Sequence, residues 1–199
     1  MSKDFFKKYA FKIKNFKIFK KKLLSFPRKK KVILCHGVFD VVHPGHIRHL
    51  AYAKTKADIL IVSITADKFI TKGIYRPHIP QNLRALNLAA FEMVDYVVVD
   101  DNPNSHKIIK DLKPDYFAKG FEYTAKGLPK ATMLEKKFLS LYGGKLLFTP
   151  GDIVFSSSKF LNLSLPNLDL EKLLLLLKTN KLSFKDLKDS LKKIKNMEV

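Results

Sequence analysis

Short apolar runs alternate with helix-length amphipathic segments through the middle of this 199-residue chain. Five runs have the length of buried strands: 32–36, 58–64, 96–99, 116–118 and 145–148. Four segments have the length of helices: 44–56, 81–92, 104–112 and 131–142. Pro44 opens the first helix, and Gly143-Gly144 ends the last. Strands that alternate with helices at this spacing predict an α/β fold, with five parallel strands and helices on both faces.

Basic residues are concentrated at the N-terminus. Residues 1–31 hold twelve lysines and Arg28 against a single aspartate, and so carry more than half of the net charge of +20. Within them, residues 16–24 predict a basic amphipathic helix. One side of that helix carries Phe16, Phe19, Leu23 and Leu24. It either packs on the core or lies on an anionic membrane surface. No zinc-finger, KH or RRM signature indicates a specific nucleic-acid partner.

The strand pattern stops after residue 163, and residues 168–177 and 183–194 predict two short helices. We therefore expect three regions: a basic N-terminal arm or helix at 1–31, an α/β domain at 32–163 and a helical tail at 164–199. No apolar run approaches the roughly 18 residues of a transmembrane helix. The single cysteine, Cys35, excludes an internal disulfide framework. We expect a cytoplasmic protein, in which residues 1–31 are the candidate for peripheral membrane contact.

Residues 36–46, with the sequence HGVFDVVHPGH, join the first predicted strand to the first predicted helix. Ligands of open α/β sheets bind at this carboxyl edge. Gly45 has no side chain, which leaves room for a phosphate at the helix N-terminus, where amides and dipole favour anions. His43 and His46 are one helical turn apart, so both imidazoles can point at that anion. Such donors stabilise negative charge that builds up on phosphoryl oxygens.

Histidines cluster in this region, which raises the alternative of a metal site. Four of the six histidines are involved: His36, His43, His46 and His49. No cysteine or carboxylate stands at ligand spacing to complete a set, so we predict no metal site built by the protein itself.

The same segment resembles the HxGH signature of the nucleotidyltransferase superfamily that includes cytidylyltransferases and pantetheine-phosphate adenylyltransferases. The longer form, GxFDxxHxGH, is matched at Gly37, Phe39, Asp40, His43, Gly45 and His46. The later series KGxxRP, VDY, KPD, KGxEY, YGG and FSSS resembles the nucleotidyltransferase domain of bifunctional heptose-phosphate nucleotidyltransferase/sugar-kinase-like proteins. This resemblance implies a Rossmann-like sheet, and a kinase-like domain or subunit after residue 199. It leaves a homodimer open.

The resemblance also implies roles for individual residues. The implied catalytic residues are His43, His46 and Lys72. The implied nucleotide-binding residues are Gly37, Val38, Phe39, Asp40, Gly45, Arg84, Lys119, Gly120, Glu122, Ser156, Ser157, Ser158 and Lys159. The chain departs from the family pattern twice. Glu122 replaces the commoner aspartate, and the arginine that usually ends the serine motif is absent, since Leu161 stands two positions after Lys159.

The implied reaction joins a sugar or polyol phosphate to the nucleoside monophosphate part of CTP or ATP and releases pyrophosphate. The resemblance associates this reaction with the biosynthesis of cell-surface sugars of the heptose type. Mg²⁺ is expected to bind mainly through the nucleotide phosphates. Two alternatives stay open, namely an adenylyltransferase that acts on a cofactor precursor and a catalytically silent nucleotide-binding module.

Overall fold

The structure is a computed structural model that describes residues 3–16, 19, 29–71, 76–121 and 128–150. All of these belong to one compact unit, Met1–Ser157. The described elements, in chain order, are α1 (Lys3–Ala10), β1 (Ile13–Lys14), β2 (Val32–Gly37), α2 (Pro44–Lys54), β3 (Ile59–Thr65), a short 3₁₀ turn (Asp67–Phe69), α3 (Gln81–Ala89), β4 (Tyr96–Asp100), α4 (His106–Leu112), β5 (Tyr116–Lys119), α5 (Lys130–Ser140) and β6 (Lys145–Phe148).

The described strands form one parallel sheet of six strands in the order β1-β4-β3-β2-β5-β6. The parallel α/β architecture is confirmed, but the predicted count of five strands is wrong by one. The additional strand is β1, which lies in the basic arm and pairs Ile13 with Val97 and Lys14 with Val98. Two residues are too few to show the alternation that marks a strand in a sequence, so only the tertiary pairing reveals it.

Both faces of the sheet are covered by helices, as predicted. On one face, α2 and α3 contribute buried residues to a cluster with the odd-numbered side chains of β2; the helix residues are Leu50, Ala53, Ala85, Leu88 and Ala89. On the other face, α4 and α5 contribute Ile108, Ile109, Leu112 and Leu139. Strands that are buried on both faces need apolar side chains at nearly every position. This explains why the apolar runs of the sequence are continuous.

Part of the predicted amphipathic helix at 16–24 can be compared with the structure. Phe19 is only 3% exposed, and its ring centroid lies 4.6 Å from that of Tyr96. Phe16 packs against the same cluster. These two aromatic side chains therefore pack on the core. The rest of that helix, with Leu23 and Leu24, lies outside the described residues, as does the whole predicted tail at 164–199.

The order of the strands reverses between β2 and β5, and at the carboxyl edge of an open α/β sheet such a switch point forms the crevice for ligands. The chain leaves β2 for β3 on one side and later returns to β5 on the other side. Such a reversal is where open α/β sheets bind their ligands. Among the described helices, none combines the length and the apolar character that crossing a membrane would require.

Candidate active site

The loop after β2 carries the HxGH motif to one side of this crevice. Its conformation depends on Phe39, which has a left-handed backbone with a φ of 50°. A Cβ on Gly37 would lie 3.1 Å from the Phe39 ring, so a glycine is needed for this close approach. Phe39 is 6% exposed, and its ring centroid lies 5.0 Å from that of His46. The buried Phe39 ring therefore packs against His46 from inside the protein.

The two motif histidines lie directly against each other. The ring centroids of His43 and His46 are 3.9 Å apart and their planes are inclined by 30°. His43 is the N-cap of α2, and its Nδ1 accepts a hydrogen bond from the Gly45 amide at 3.2 Å. An acceptor Nδ1 in a neutral imidazole requires the proton to be on Nε2. In that tautomer, the N–H of His43 is on Nε2, the ring nitrogen that does not bond to the Gly45 amide.

The backbone amides at the start of α2 are already engaged. The Gly45 amide donates to His43, and the amides of His46 and Ile47 donate to the His43 carbonyl at 2.9 and 3.2 Å. Pro44 has no N–H. The structure therefore differs from the expected cradle of open amides. The helix dipole still favours an anion at this end, where the two imidazoles lie.

Burial keeps His46 uncharged at neutral pH. Desolvation, followed by the neighbouring His43 and His49, lowers the pKa of His46 from 6.5 to about 4, and the Val41 carbonyl opposes this only in part. His46 is therefore neutral in the ligand-free protein, and its hydrogen bond with the Val41 carbonyl uses the one N–H that a neutral imidazole has. Two positively charged imidazolium rings at this distance would repel each other, so we expect both rings to be charged only when an anion lies beside them.

Arg84 lies beneath the motif loop and has no exposed surface. Its Nε donates to the Ile79 carbonyl at 2.9 Å, one terminal nitrogen donates to the Val38 carbonyl, and the other to the Thr65 carbonyl at 2.8 Å. A direct contact with nucleotide was predicted for Arg84. The structure instead places it inside the protein, where it positions the loop that carries Val38.

The segment before α3 is fastened to the same loop. Asp40 is 3% exposed, and its Oδ1 accepts a hydrogen bond from the Ile79 amide at 3.0 Å. Asp67 and Gln81 exchange two bonds of 3.0 Å, since each side chain accepts from the backbone amide of the other. These contacts hold the end of β3, the start of α3 and the motif loop in one arrangement.

Lys119 and Gly120 lie on the other side of the crevice, at the end of β5. The Lys119 ammonium forms an ion pair with Oε2 of Glu135 on α5, and only 11% and 7% of these side chains are exposed. The Ser105 hydroxyl donates to the second oxygen of Glu135 at 2.6 Å. Lys119 thus stands at the predicted edge, but its charge is neutralised from within the protein.

On the face of the sheet that contains His36, the side chains at the carboxyl edge are polar. Nδ1 of His36 lies 3.0 Å from the Ser63 hydroxyl, and its Nε2 lies 3.4 Å from that of Thr65. Burial, together with the positive charge of Lys119, lowers the pKa of His36 to about 4. Burial raises the pKa of Asp100, whose Oδ2 lies 3.9 Å from Nδ1 of His36. This polar edge suits a hydrophilic ligand.

The four clustered histidines have separate partners in the structure. His43 and His46 stack on each other, His36 faces Ser63, and His49 lies 3.1 Å from the Thr149 hydroxyl. Within the described ranges, no three His, Cys, Asp or Glu side chains are grouped so as to hold a metal ion. Six predicted site residues lie outside those ranges: Lys72, Glu122, Ser156, Ser157, Ser158 and Lys159.

The roles of Glu135, Asp67 and the His49–Thr149 pair were not found from the sequence. Glu135 bonds to residues 16 and 30 positions away, and Thr149 to one 100 positions away. No local spacing rule connects such residues. His49 alone has a local signal, because it stands one helical turn after His46, but that signal does not identify its partner.

The chain is similar to curated proteins with the name "Bifunctional protein HldE". It is 36% identical over 121 residues to that of Geobacter metallireducens, which corresponds to 60% of this chain and 24% of the relative. It is 41% identical over 127 residues to that of Campylobacter jejuni, or 61% of this chain and 27% of the relative. The chain thus spans only about a quarter of the length of these relatives.

Two solved structures share the fold. The lipopolysaccharide core biosynthesis protein of Thermoplasma volcanium superposes with a TM-score of 0.52 and 23% identity, over 61% of this chain and 98% of that one. The pantoate-beta-alanine ligase of Francisella tularensis superposes with a TM-score of 0.50 and 17% identity, over 80% of this chain and 76% of that one. At these identities the likeness concerns the fold alone.

A family model described as cytidylyltransferase-like matches residues 34–149. The match runs from within β2 to the residue after β6, and so covers the crevice, the HxGH loop and the end of β5. It covers more than half of the chain and confirms the resemblance that the motifs indicated. The chain belongs to the cytidylyltransferase-like family.

Proposed function

We propose that this chain is a nucleotidyltransferase that joins a sugar or polyol phosphate to the nucleoside monophosphate part of CTP or ATP. The observation that carries the proposal is the stacked pair His43 and His46 at the N-terminus of α2. Two imidazoles and a helix dipole converge there, beside the crevice where the strand order reverses. This arrangement suits an anion whose charge grows during the reaction.

The proposed reaction needs no protein nucleophile. A phosphate oxygen of the acceptor attacks the α-phosphorus of the nucleotide and forms the new P–O bond. The bond from that phosphorus to the oxygen shared with the β-phosphate breaks, and pyrophosphate leaves. The protein contributes mainly by holding the two anions in line and by stabilising the charge on the transferred group. The imidazoles of His43 and His46 would contact its oxygens.

The remaining motif residues would bind the nucleotide around this pair. Gly37, Asp40 and Gly45 shape the loop on one side of the crevice, and Lys119 and Gly120 stand on the other. Outside the described residues, we propose phosphate contacts for Lys72, Ser156, Ser157, Ser158 and Lys159, and a contact near the base or ribose for Glu122. Arg84 supports the loop through the Val38 carbonyl.

Mg²⁺ would accompany the nucleotide and neutralise part of the phosphate charge. A single protein carboxylate with phosphate oxygens and water is a common set of ligands for this ion. Asp40 fits such a set, because its Oδ2 is buried and has no hydrogen-bond partner among the described residues. Asp40 is therefore the residue of the motif loop that would contribute an oxygen.

The choice of acceptor rests on the relatives. Identities of 36% and 41% to HldE proteins, and motifs that resemble heptose-phosphate nucleotidyltransferase domains, favour a sugar phosphate. The polar edge formed by His36, Ser63, Thr65 and Asp100 is compatible with a hydroxylated acceptor.

We also propose a kinase-like partner activity that supplies the phosphorylated sugar. A homodimer, a cytoplasmic location and membrane contact through residues 1–31 stay predictions.

The test is to incubate the chain with Mg²⁺, each of CTP, ATP, GTP and UTP, and a panel of acceptors. The panel holds sugar 1-phosphates, a polyol phosphate, pantetheine phosphate and a nicotinamide mononucleotide. Pyrophosphate release and the new diphosphate (P–O–P) signal in ³¹P NMR are measured. We expect turnover with one nucleotide and a sugar or polyol phosphate.

Two results would contradict the proposal. Turnover only with pantetheine phosphate or the mononucleotide would make the chain an adenylyltransferase of cofactor precursors. Thermal unfolding that shifts with a nucleotide, without turnover on any acceptor, would indicate a silent binding module. A nucleotide at 100 times its Kd should stabilise the fold by about 2.7 kcal/mol, so binding is readily detected.

A further inference from the structure

His49 and Thr149 are in contact although 100 residues separate them in the chain. Nδ1 of His49 lies 3.1 Å from the Thr149 hydroxyl oxygen. That hydroxyl in turn donates to the Lys119 carbonyl at 3.4 Å, and the Thr149 amide donates to the same carbonyl at 2.9 Å. Because the hydroxyl has one proton and gives it to Lys119, Nδ1 of His49 is the donor to the threonine oxygen.

These contacts cross the crevice. His49 is on α2, which follows β2, whereas Thr149 follows β6 and is bonded to the last residue of β5. In the sheet, β5 and β6 lie on the opposite side of β2 from β3 and β4. The contact therefore joins the two sets of residues that face each other where the strand order reverses.

Both residues of the contact are directly connected to predicted site residues. His49 is one helical turn after His46, and an α-helix transmits such a position rigidly over one turn. Thr149, which is 5% exposed, holds the carbonyl of Lys119, and Gly120 is the next residue in the chain. A change at this contact would shift Lys119 and Gly120 relative to His43 and His46.

We propose that the His49–Thr149 contact is a bridge that sets the separation of the two sides of the crevice, and thereby the affinity for nucleotide. The effect on affinity rests on the proposed function. His49 is a positioning residue in this proposal, because its Nδ1 is used by Thr149 and it acts on the ligand only through α2.

The decisive variant is Thr149→Val, which keeps the shape of the side chain and removes the hydroxyl. Its matched control is Thr149→Ser, which keeps the hydroxyl. On the other side, His49→Leu removes the donor, and His49→Asn places an amide close to the position of Nδ1. The nucleotide is tested as CTP and as ATP, each with Mg²⁺, on the full chain.

We expect Thr149→Val and His49→Leu each to weaken nucleotide binding by roughly 3- to 10-fold, the equivalent of one hydrogen bond. Turnover at saturating nucleotide should change by less than about 2-fold, because the bridge touches no reacting atom. Thr149→Ser and His49→Asn should bind nearly as the wild type does. The double variant Thr149→Val/His49→Leu should be no weaker than either single variant, since both remove the same contact.

Amide hydrogen exchange tests the bridge without any nucleotide. The amides of Thr149 and Gly120 should exchange faster in Thr149→Val than in Thr149→Ser at equal unfolding midpoints. Equal exchange, equal nucleotide affinities in the two variants, or additive losses in the double variant would each overturn the proposal. A wild-type chain that binds no nucleotide would overturn the proposed function and the effect on affinity, while faster exchange would still support the bridge as a structural contact.

Discussion

Asp67 accepts a hydrogen bond of 2.6 Å from Arg84, a residue whose side chain has no exposed surface. Through the same guanidinium, Arg84 also reaches the carbonyls of Val38, Thr65 and Ile79. A guanidinium has five N–H donors spread over a planar fork and can serve all four of these acceptors, whereas an ammonium group has only three donors on one nitrogen. The motif loop therefore depends on an arginine that lies 46 residues further along the chain.

Arg84→Lys is expected to lower the free energy of unfolding by about 2–4 kcal/mol, because buried carbonyls and the Asp67 carboxylate lose their donors. Urea denaturation measures this loss. Arg76→Lys is the control, since Arg76 is only half-buried, and it should cost less than about 0.5 kcal/mol. A loss of the same size in both variants would contradict the role assigned to Arg84.

His43→Asn should reduce kcat by roughly 10²- to 10³-fold with the fold intact. Asparagine is a good N-cap, so this variant keeps a side-chain acceptor for the Gly45 amide and removes only the imidazole donor. His46→Asn should have an effect of similar size. Steady-state kinetics with the nucleotide found in the acceptor screen measures both variants.

His78→Asn is the matched control for these two substitutions, because His78 is exposed and lies outside the motif. Its kcat should stay within about 2-fold of the wild type. If His43→Asn and His46→Asn each reduced kcat by less than about 10-fold, the stacked pair would not be the centre of the reaction.

The stability of the protein should fall as the pH is lowered from 6.5 towards 4. Burial lowers the pKa of His36, His46 and His49 from 6.5 to about 4. Between these pH values the three histidines become protonated in the unfolded chain before they do so in the folded protein. The free energy of unfolding therefore falls by up to about 1.4 kcal/mol per pH unit for each histidine. Asp100 works in the opposite sense, because its raised pKa lets the folded protein bind a proton first.

Urea denaturation at several pH values between 6.5 and 4.5 measures this slope. His49→Asn should reduce the histidine contribution to the slope by about a third, since it removes one of three groups. The exposed His78→Asn should leave the slope as it is in the wild type. A free energy of unfolding that stays constant over the window would show that these histidines are protonated in the folded protein.

Glu135→Gln is expected to destabilise the fold by about 3–5 kcal/mol, because it leaves the nearly buried Lys119 ammonium without its counter-charge. The exposed pair Lys68 and Asp101 is the control, and Asp101→Asn should cost less than about 0.5 kcal/mol. Chemical denaturation measures both losses.

The double variant Lys119→Met/Glu135→Leu separates stability from binding. It removes both charges together, so it should recover most of the stability lost in Glu135→Gln. Nucleotide affinity should nevertheless stay below that of the wild type, since Lys119 is proposed to bind the nucleotide. A double variant that binds nucleotide as tightly as the wild type would remove Lys119 from the site.

The parallel sheet, its two helical faces and the loop that carries the histidines were all predictable. Each depends on patterns within about ten residues: continuous apolar runs for β2 to β6, and a strand, a glycine loop and a helix start around His43 and His46. Local sequence controls these features because strand burial and helix capping involve neighbours in the chain. Of the six strands, only β1 was not predicted, since two residues are too few to show such a pattern.

The tertiary structure decided which residues hold the site together. Arg84 was predicted at the nucleotide and lies beneath the loop, and Lys119 was predicted as a nucleotide-binding residue and is paired with Glu135. His49 was given no role in the predicted site and contacts Thr149. In each case the partner is distant in the chain, and a charge or a donor has no preferred partner until folding excludes water and brings one within reach. The sequence by itself therefore determined where the site would form, and the tertiary structure determined how it is held.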